Sequence, residues 1–214
     1  EILYGARRSA LEAEAEVLEA ENDRELLERL DAAITEDQGM SPRHERSFRL
    51  QTLTDLLTKV QHPGSIRLLF RILDDAELSV SLRANRALRE VGYRRYREFV
   101  REAEGWVDLG AGSGLVRLPA LLTEVTTGSD PVPVALLVKL LNHGDADVVA
   151  EAACALAESD EPNVVDLLSV FRDDPRPMED TDPQVQTLGD LIQQLIAAIE
   201  LGSALSRRAP LGQA

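Results

Sequence analysis

The chain repeats part of its own pattern at a distance of 68 positions, and the two copies align without a gap. Residues 62–92 form the first copy and residues 130–160 the second. The identical pairs are Pro63/Pro131, Leu68/Leu136, Leu69/Leu137, Leu73/Leu141, Val80/Val148, Ala84/Ala152, Ala87/Ala155, Leu88/Leu156 and Glu90/Glu158. A shift of this size is twice about 34 residues, a period typical of helical repeat proteins. The pattern therefore predicts an all-α solenoid, a class that usually binds other molecules.

The composition agrees with stacked helices. Hydrophobic residues make up 44% of the 214 residues and aromatic residues only 4%, so the core must consist of Leu, Val, Ile and Ala. A single cysteine, Cys154, excludes an intrachain disulfide and favours a reduced, cytoplasmic protein. No apolar run reaches the roughly 18 residues that a membrane-spanning helix needs, so no membrane insertion is predicted.

Charge is spread unevenly along the chain. The net charge is -15, yet residues 41–105 carry 13 basic and 9 acidic side chains, a net of +4. An acidic chain repels nucleic acid unless a local basic patch overrides the overall field. Only this middle segment could supply such a patch.

Helical spacing divides the chain into a cap, five hairpins and a tail. We predict a capping helix over residues 1–22, a hairpin array over 23–200 and a flexible tail over 201–214. The second helices of the hairpins are expected to line the concave side. The predicted hairpins cover about 23–60, 62–92, 93–125, 130–160 and 161–200. The third is interrupted by a loop over 104–114, and the fifth contains an acidic, proline-rich loop over 173–182.

The two aligned hairpins are similar to HEAT repeats, in particular to the short HEAT-like repeats also found in phycobilisome lyases. In that pattern an apolar helix ends in Leu-Leu or Ile-Leu, and an acidic turn leads to Val-x3-Ala-x2-Ala-Leu. The matching residues are Ile72, Leu73, Asp74, Asp75, Val80, Ala84, Ala87 and Leu88, then Leu140, Leu141, Asp145, Val148, Ala152, Ala155 and Leu156. The arginine that usually follows the valine is replaced by Ser81 and Val149. The resemblance implies a right-handed superhelix of about five helical hairpins.

A glycine-rich segment offers a competing interpretation. Residues 107–114 read VDLGAGSG and resemble the first motif of class I methyltransferases, which bind S-adenosylmethionine. That motif functions between a parallel strand and a helix. Here the preceding residues 93–104 are charged and helical in pattern, so an inter-helix loop over Gly110–Gly114 is expected instead. An S-adenosylmethionine-dependent methyltransferase stays an alternative, and no cofactor is predicted.

An arginine-rich cluster is the candidate binding site. Its predicted members are Arg83, Arg86, Arg89, Tyr93, Arg94, Arg95, Tyr96 and Arg97. The second copy has Glu151, Cys154 and Ala157 where the first has Arg83, Arg86 and Arg89, so these arginines do not belong to the repeat framework. Guanidinium groups bind carboxylates and phosphates bidentately. The cluster could dock an acidic protein, bind nucleic acid or pair with acidic residues of the same chain.

Other reactive residues do not form a recognisable site. His44, His62 and His143 are far apart and lack the i, i+4 spacing of metal ligands, so no metal site is predicted. Cys154 is expected to be a packed or half-buried thiol and not a nucleophile. Trp106 is expected to anchor the third hairpin, the alternative being an exposed contact residue. No catalytic residue is predicted, and the chain is not expected to be an enzyme.

The sequence therefore predicts a non-catalytic scaffold or adaptor that binds an acidic partner protein through the arginine cluster. The alternative is a HEAT-like protein that binds nucleic acid or phosphate, which the net charge disfavours. High Arg, Ala and Leu usage is typical of a GC-rich bacterial genome.

Overall fold

The computed structural model describes residues 23–38, 43–75, 77–110, 112–126, 132–159, 161–178 and 185–208. Within these ranges every regular element is a helix, and a single isolated bridge pairs Pro177 with Thr187. The prediction of an all-α chain is confirmed. The chain divides into two compact units between Thr127 and Gly128. The predicted cap over 1–22 lies outside the described residues.

The helices of the two units are numbered in chain order. The first unit contains α1 (Asp23–Gln38), α2 (Arg43–Leu57), α3 (Gly64–Leu73), α4 (Leu78–Arg94), α5 (Tyr96–Leu109), a short 3-10 helix (Ser113–Arg117) and α6 (Leu118–Val125). The second unit contains α7 (Val132–Leu140), α8 (Ala146–Ala157), α9 (Val164–Ser169) and α10 (Leu188–Arg208).

The first unit has two layers of helices. Helices α1, α3 and α5 contact one another in sequence order, and helices α2, α4 and α6 do the same. Helices α1 and α2 pack together as one hairpin, and α3 and α4 as the next. Each helix can bury its apolar stripe only against a neighbour, which is why the hairpins lie side by side.

Aromatic side chains fill the space between α3 and α5. The ring centroid of Phe70 lies 5.6 Å from that of Phe99 and 4.7 Å from that of Trp106. Trp106 was expected in a loop beginning at Glu104, but α5 continues to Leu109 and Trp106 is buried. The loop boundary was wrong because Phe99, Ala103 and Trp106 form a buried stripe at i, i+4 and i+7.

The repeated segments fold alike. Helix α3 begins at Gly64 and α7 at Val132, and helix α4 begins at Leu78 and α8 at Ala146. In both pairs the starting residues are 68 positions apart, the same shift that aligns the two copies in the sequence. The paired leucines and alanines of the alignment are buried in both copies, so the repeated pattern specifies one hairpin in each unit.

In the second unit α8 contacts α7, α9 and α10. Helix α10 continues to Arg208, into the segment that the sequence predicted to be a tail, and residues 209–214 lie outside the described residues. Its first turn is capped reciprocally. The Asp190 carboxylate accepts from the Thr187 N–H at 2.9 Å, and the Asp190 N–H donates to the Thr187 hydroxyl at 3.2 Å. The hydrogen bonds from Thr187 lower the pKa of Asp190.

Among the described residues, no helix is both long enough and apolar enough to cross a membrane.

Candidate interaction surface

Helix α4 carries most of the predicted arginine cluster and has one buried and one outward face. The buried residues are Val80, Ser81, Ala84, Ala87, Leu88, Val91 and Gly92. The outward residues Leu78, Leu82, Arg86, Arg89 and Tyr93 are exposed. At 100° per residue they span about 80° of arc. They therefore form a stripe along one side of the helix, which we call the α4 face.

Arg83 on α4 forms an ion pair with Asp55 on α2. Its Nε donates to Asp55 Oδ1 at 2.7 Å and its Nη2 to Asp55 Oδ2 at 2.6 Å. The hydrogen bond to Asp55 raises the pKa of the Arg83 guanidinium above its usual value. A bidentate pair of this kind fixes the relative orientation of its two groups, so Arg83 links two neighbouring hairpins.

Arg89 and Tyr93 join α4 to α6 on its other side. The Arg89 Nε lies 2.5 Å from Glu124 Oε2. The Tyr93 hydroxyl donates to the main-chain carbonyl of Glu124 at 2.8 Å, while 55% of Tyr93 stays exposed. Both side chains therefore contribute to hairpin packing, and the ring of Tyr93 also remains accessible.

Arg94 and Arg95 bind main-chain carbonyl groups in the segment that follows α2. Arg94 Nη2 donates to the carbonyl of Thr58 at 2.9 Å, and Arg95 Nη1 donates to that of Val60 at 2.9 Å. The Arg95 Nε also donates to Glu98 Oε2 at 2.9 Å, and only 11% of its side chain is exposed. These arginines therefore satisfy carbonyl groups that follow the end of α2.

The other members of the predicted cluster lie in different places. Arg86 and Arg97 are exposed, and within the described part of the chain neither side chain makes a hydrogen bond or an ion pair. Arg86 lies on the α4 face, whereas Arg97 lies on α5 in the other helix layer. Tyr96 is half-buried at the start of α5. The predicted cluster is thus not a single surface: four of its arginines bind the chain itself, and the two others lie in different layers.

Sequence reasoning missed the apolar part of the α4 face. Leu78 is 60% exposed and Leu82 51%, and Phe48 on the neighbouring helix α2 is 41% exposed. Gln51, one turn after Phe48, donates to the Ser79 hydroxyl at 3.1 Å, so this part of α2 lies beside the start of α4. The alignment contained a signal, because the second copy has Ala146 and Ala150 at the positions of Leu78 and Leu82.

The glycine-rich loop is built around a carboxylate of the same chain. Gly114 N–H donates to Asp74 Oδ1 at 2.7 Å. Gly110 has φ 61° and ends α5, and Gly112 has φ 118°, so both need the freedom of glycine. Burial raises the pKa of Asp74, although hydrogen bonds from Gly114 and Trp106 oppose the shift. The first three residues of the motif belong to the end of α5, and its glycines tie the third hairpin to the turn between α3 and α4.

The acidic loop after α9 is also anchored within its unit. Arg176 Nη2 lies 2.8 Å from Asp174 Oδ2, and its Nη1 donates to the carbonyls of His143 and Gly144 at 2.9 and 3.1 Å. The hydrogen bonds from Arg176 lower the pKa of Asp174. Residues 179–184 of this loop lie outside the described residues. In the described part of the loop, Arg176 therefore binds the turn between α7 and α8.

An open groove of about 320 Å³ lies beside α7 and α9 in the second unit. Its lining is mostly apolar, with Asp166 as a carboxylate and Asn142 and Asn163 as amides. Within the described residues no cluster of His, Cys, Asp or Glu could hold a metal ion. Cys154 is half-buried on α8.

No protein-family model, curated protein or solved structure matches this chain.

Proposed function

We propose that the protein is a non-catalytic adaptor built from HEAT-like helical hairpins, and that it binds an acidic partner protein through the α4 face. The side-by-side packing of α1, α3 and α5, and of α2, α4 and α6, supports a hairpin array in the first unit. A right-handed superhelix of about five hairpins is part of the same proposal.

One observation carries the proposal. Three large side chains with an apolar body, Leu78, Leu82 and Tyr93, are more than half exposed on the same side of α4, and Arg86 lies among them. Single exposed apolar residues are ordinary, but a grouped set marks a contact surface. Tyrosine and arginine are also the residue types that contribute most to protein interfaces.

The nucleic-acid alternative has less support. Four of the six arginines in the predicted cluster bind carboxylates or carbonyl groups of this chain. A phosphate backbone needs several cations to neutralise it, and the net charge of -15 opposes its approach.

Site-specific photo-crosslinking tests the proposal. A benzophenone amino acid is placed at Leu82 and, as a control, at Leu109, which is 76% exposed on α5. In an extract of the source organism we expect the Leu82 position to capture a protein that the Leu109 position does not. Capture of the same proteins at both positions would count against a specific surface.

A matched pair of charge reversals then tests the role of Arg86. Arg67 on α3 is exposed and makes no described polar contact, so Arg67→Glu changes the net charge by the same amount as Arg86→Glu. We expect Arg86→Glu to weaken binding of the captured protein at least about tenfold and Arg67→Glu to leave it unchanged. Equal affinities for the two variants would show that Arg86 does not contribute to binding.

A further inference from the structure

The α4 face has the residue spacing and length of a helix-docking site. Leu78, Leu82 and Arg86 follow one another at i, i+4 and i+8, and Tyr93 continues the stripe. From Leu78 to Tyr93 the stripe extends roughly 22 Å at 1.5 Å per residue. Helices α2 and α6 both contact α4, α2 through the Arg83–Asp55 pair and α6 through the Arg89–Glu124 pair. An incoming helix would lie along the exposed stripe between these two contacts.

The charge of this surface is concentrated at one side chain. Arg83 is neutralised by Asp55, Arg89 by Glu124 and Arg94 by Glu90. Arg86 has no such partner among the described residues. The α4 face therefore presents one uncompensated guanidinium with leucines toward one end of the helix and a tyrosine toward the other.

We propose that the partner presents an amphipathic α-helix whose apolar face contains one carboxylate, and that this carboxylate pairs with Arg86. This inference rests on the proposed function and adds the class of partner. The leucines and Tyr93 would bury the apolar residues of that helix, as in other complexes in which a helix docks on an apolar surface. The Arg86 pair would fix its register, because a displaced helix would leave an unpaired charge against apolar side chains.

A second copy of this chain fits the same surface poorly. A two-fold pairing of α4 with α4 would bring the two copies of Arg86 close together, since Arg86 lies near the middle of the stripe. Like charges at that position oppose association. A carboxylate-bearing helix from another protein removes this repulsion.

Two synthetic helical peptides test the inference with the full-length chain. Both are fluorescent and carry leucines on one face, and they differ only where one has a glutamate between the leucines and the other a glutamine. Binding is measured by anisotropy for the wild type, Arg86→Gln and the control Arg67→Gln. We expect the wild type and Arg67→Gln to bind the glutamate peptide at least about tenfold more tightly than the glutamine peptide. Arg86→Gln should bind both equally.

The outcomes separate this inference from the proposed function. If neither peptide binds, or if the preference for glutamate survives in Arg86→Gln, the partner class is wrong. A protein that is captured at Leu82 but not at Leu109, and that binds Arg86→Glu more weakly than Arg67→Glu, would still support an adaptor in that case. If the crosslinker at Leu82 captures a second copy of this chain, the α4 face is a self-association surface and the proposal of a partner helix fails.

Discussion

The two copies of the repeated segment, α3–α4 in the first unit and α7–α8 in the second, share their cores and differ in their surfaces. Leu88 and the equivalent Leu156 are both 0% exposed. By contrast, Leu82 is 51% exposed and the equivalent Ala150 is 6% exposed. The repeated positions therefore specify the buried core of the hairpin, whereas the positions that differ change its exposed surface.

In the turns of the two hairpins, different side chains accept a hydrogen bond from the equivalent main-chain N–H group. In the first copy the Asp75 carboxylate accepts from the Glu77 N–H at 2.9 Å. In the second copy His143 Nδ1 accepts from the Asp145 N–H at 3.1 Å. Both residues satisfy an N–H group at the start of the second helix, where the helix itself offers no acceptor. The turn geometry is therefore retained although the residue type is not.

The largest effect should come from the shared core. Leu88→Ala and Leu156→Ala should each lower the free energy of unfolding by about 3 kcal/mol, because each removes a fully buried side chain. Urea unfolding followed by circular dichroism measures the loss. The single tryptophan, Trp106, reports on the first unit. Leu82→Ala is the exposed control and should change the free energy by less than about 0.5 kcal/mol. A much smaller loss for Leu156→Ala would show that the two cores are not equivalent.

The next effect should be confined to the first unit. In Gly112→Ala the new methyl group would lie 2.1 Å from an Asp74 carboxylate oxygen at a backbone φ of 118°. We expect a loss of about 2 kcal/mol in the unfolding of the first unit, measured by Trp106 fluorescence. Gly144, in the turn of the second copy, has no atom within 4 Å of such a methyl group. An equally destabilising Gly144→Ala, measured by circular dichroism because Trp106 lies in the other unit, would contradict the proposed role of the Asp74 contact.

A smaller effect should distinguish the arginines of α4. The coupling between Arg83 and Asp55, measured with the two single alanine variants and the double variant, should be about 0.5–1 kcal/mol. The value is modest because 42% and 27% of the two side chains are exposed to solvent. Arg86→Ala should cost less than about 0.5 kcal/mol. A coupling near zero would mean that Arg83 does not hold α2 and α4 together.

The sequence predicted the structure best in the two copies of the repeated segment, where the same core packing recurs. The spacing of Val80, Ala84 and Leu88 predicted a core-facing stripe, and all three are fully buried. It was less informative for α5, where the charged residues around Trp106 concealed a buried stripe. The glycine-rich motif was predicted to lie between helices, but its contact with Asp74 could not be foreseen because the two are 40 residues apart in sequence.

The candidate site was only partly predictable for a related reason. The absence of Arg83, Arg86 and Arg89 from the second copy identified α4 as unusual. Which arginine has no partner among the described residues depends on the acidic residues that α2 and α6 place beside α4, and that arrangement exists only in the folded chain. Asp55 and Glu124 are 28 and 35 positions from their partners. Local patterns therefore could not separate Arg83 and Arg89 from Arg86.

The turn of the first copy should respond to pH through Asp74. Its folded-state pKa is raised by burial, so the folded form binds the proton more tightly than the unfolded form does. Asp74 therefore favours the folded state at low pH. This contribution is lost as the pH rises from the ordinary value of 3.8 through the raised pKa. Asp74→Asn should flatten this part of the pH dependence of the Trp106 unfolding midpoint. If Asp74→Asn kept the wild-type pH dependence of this midpoint, another group would be responsible for it.

The second copy should respond in the opposite direction and more weakly. Asp174 holds Arg176 against the turn between α7 and α8, and the hydrogen bonds from Arg176 lower its folded-state pKa. The pair therefore stabilises the fold above the ordinary carboxyl pKa of 3.8, and its contribution is lost as the pH falls through the lowered pKa. Hydrogen exchange of α8, measured across this acidic range, should show protection decreasing with falling pH in the wild type and less so in Asp174→Asn. Since Asp74 predicts the reverse trend for the first unit, parallel acid responses of α4 and α8 would show that these two carboxyl groups do not control the stability of the two turns.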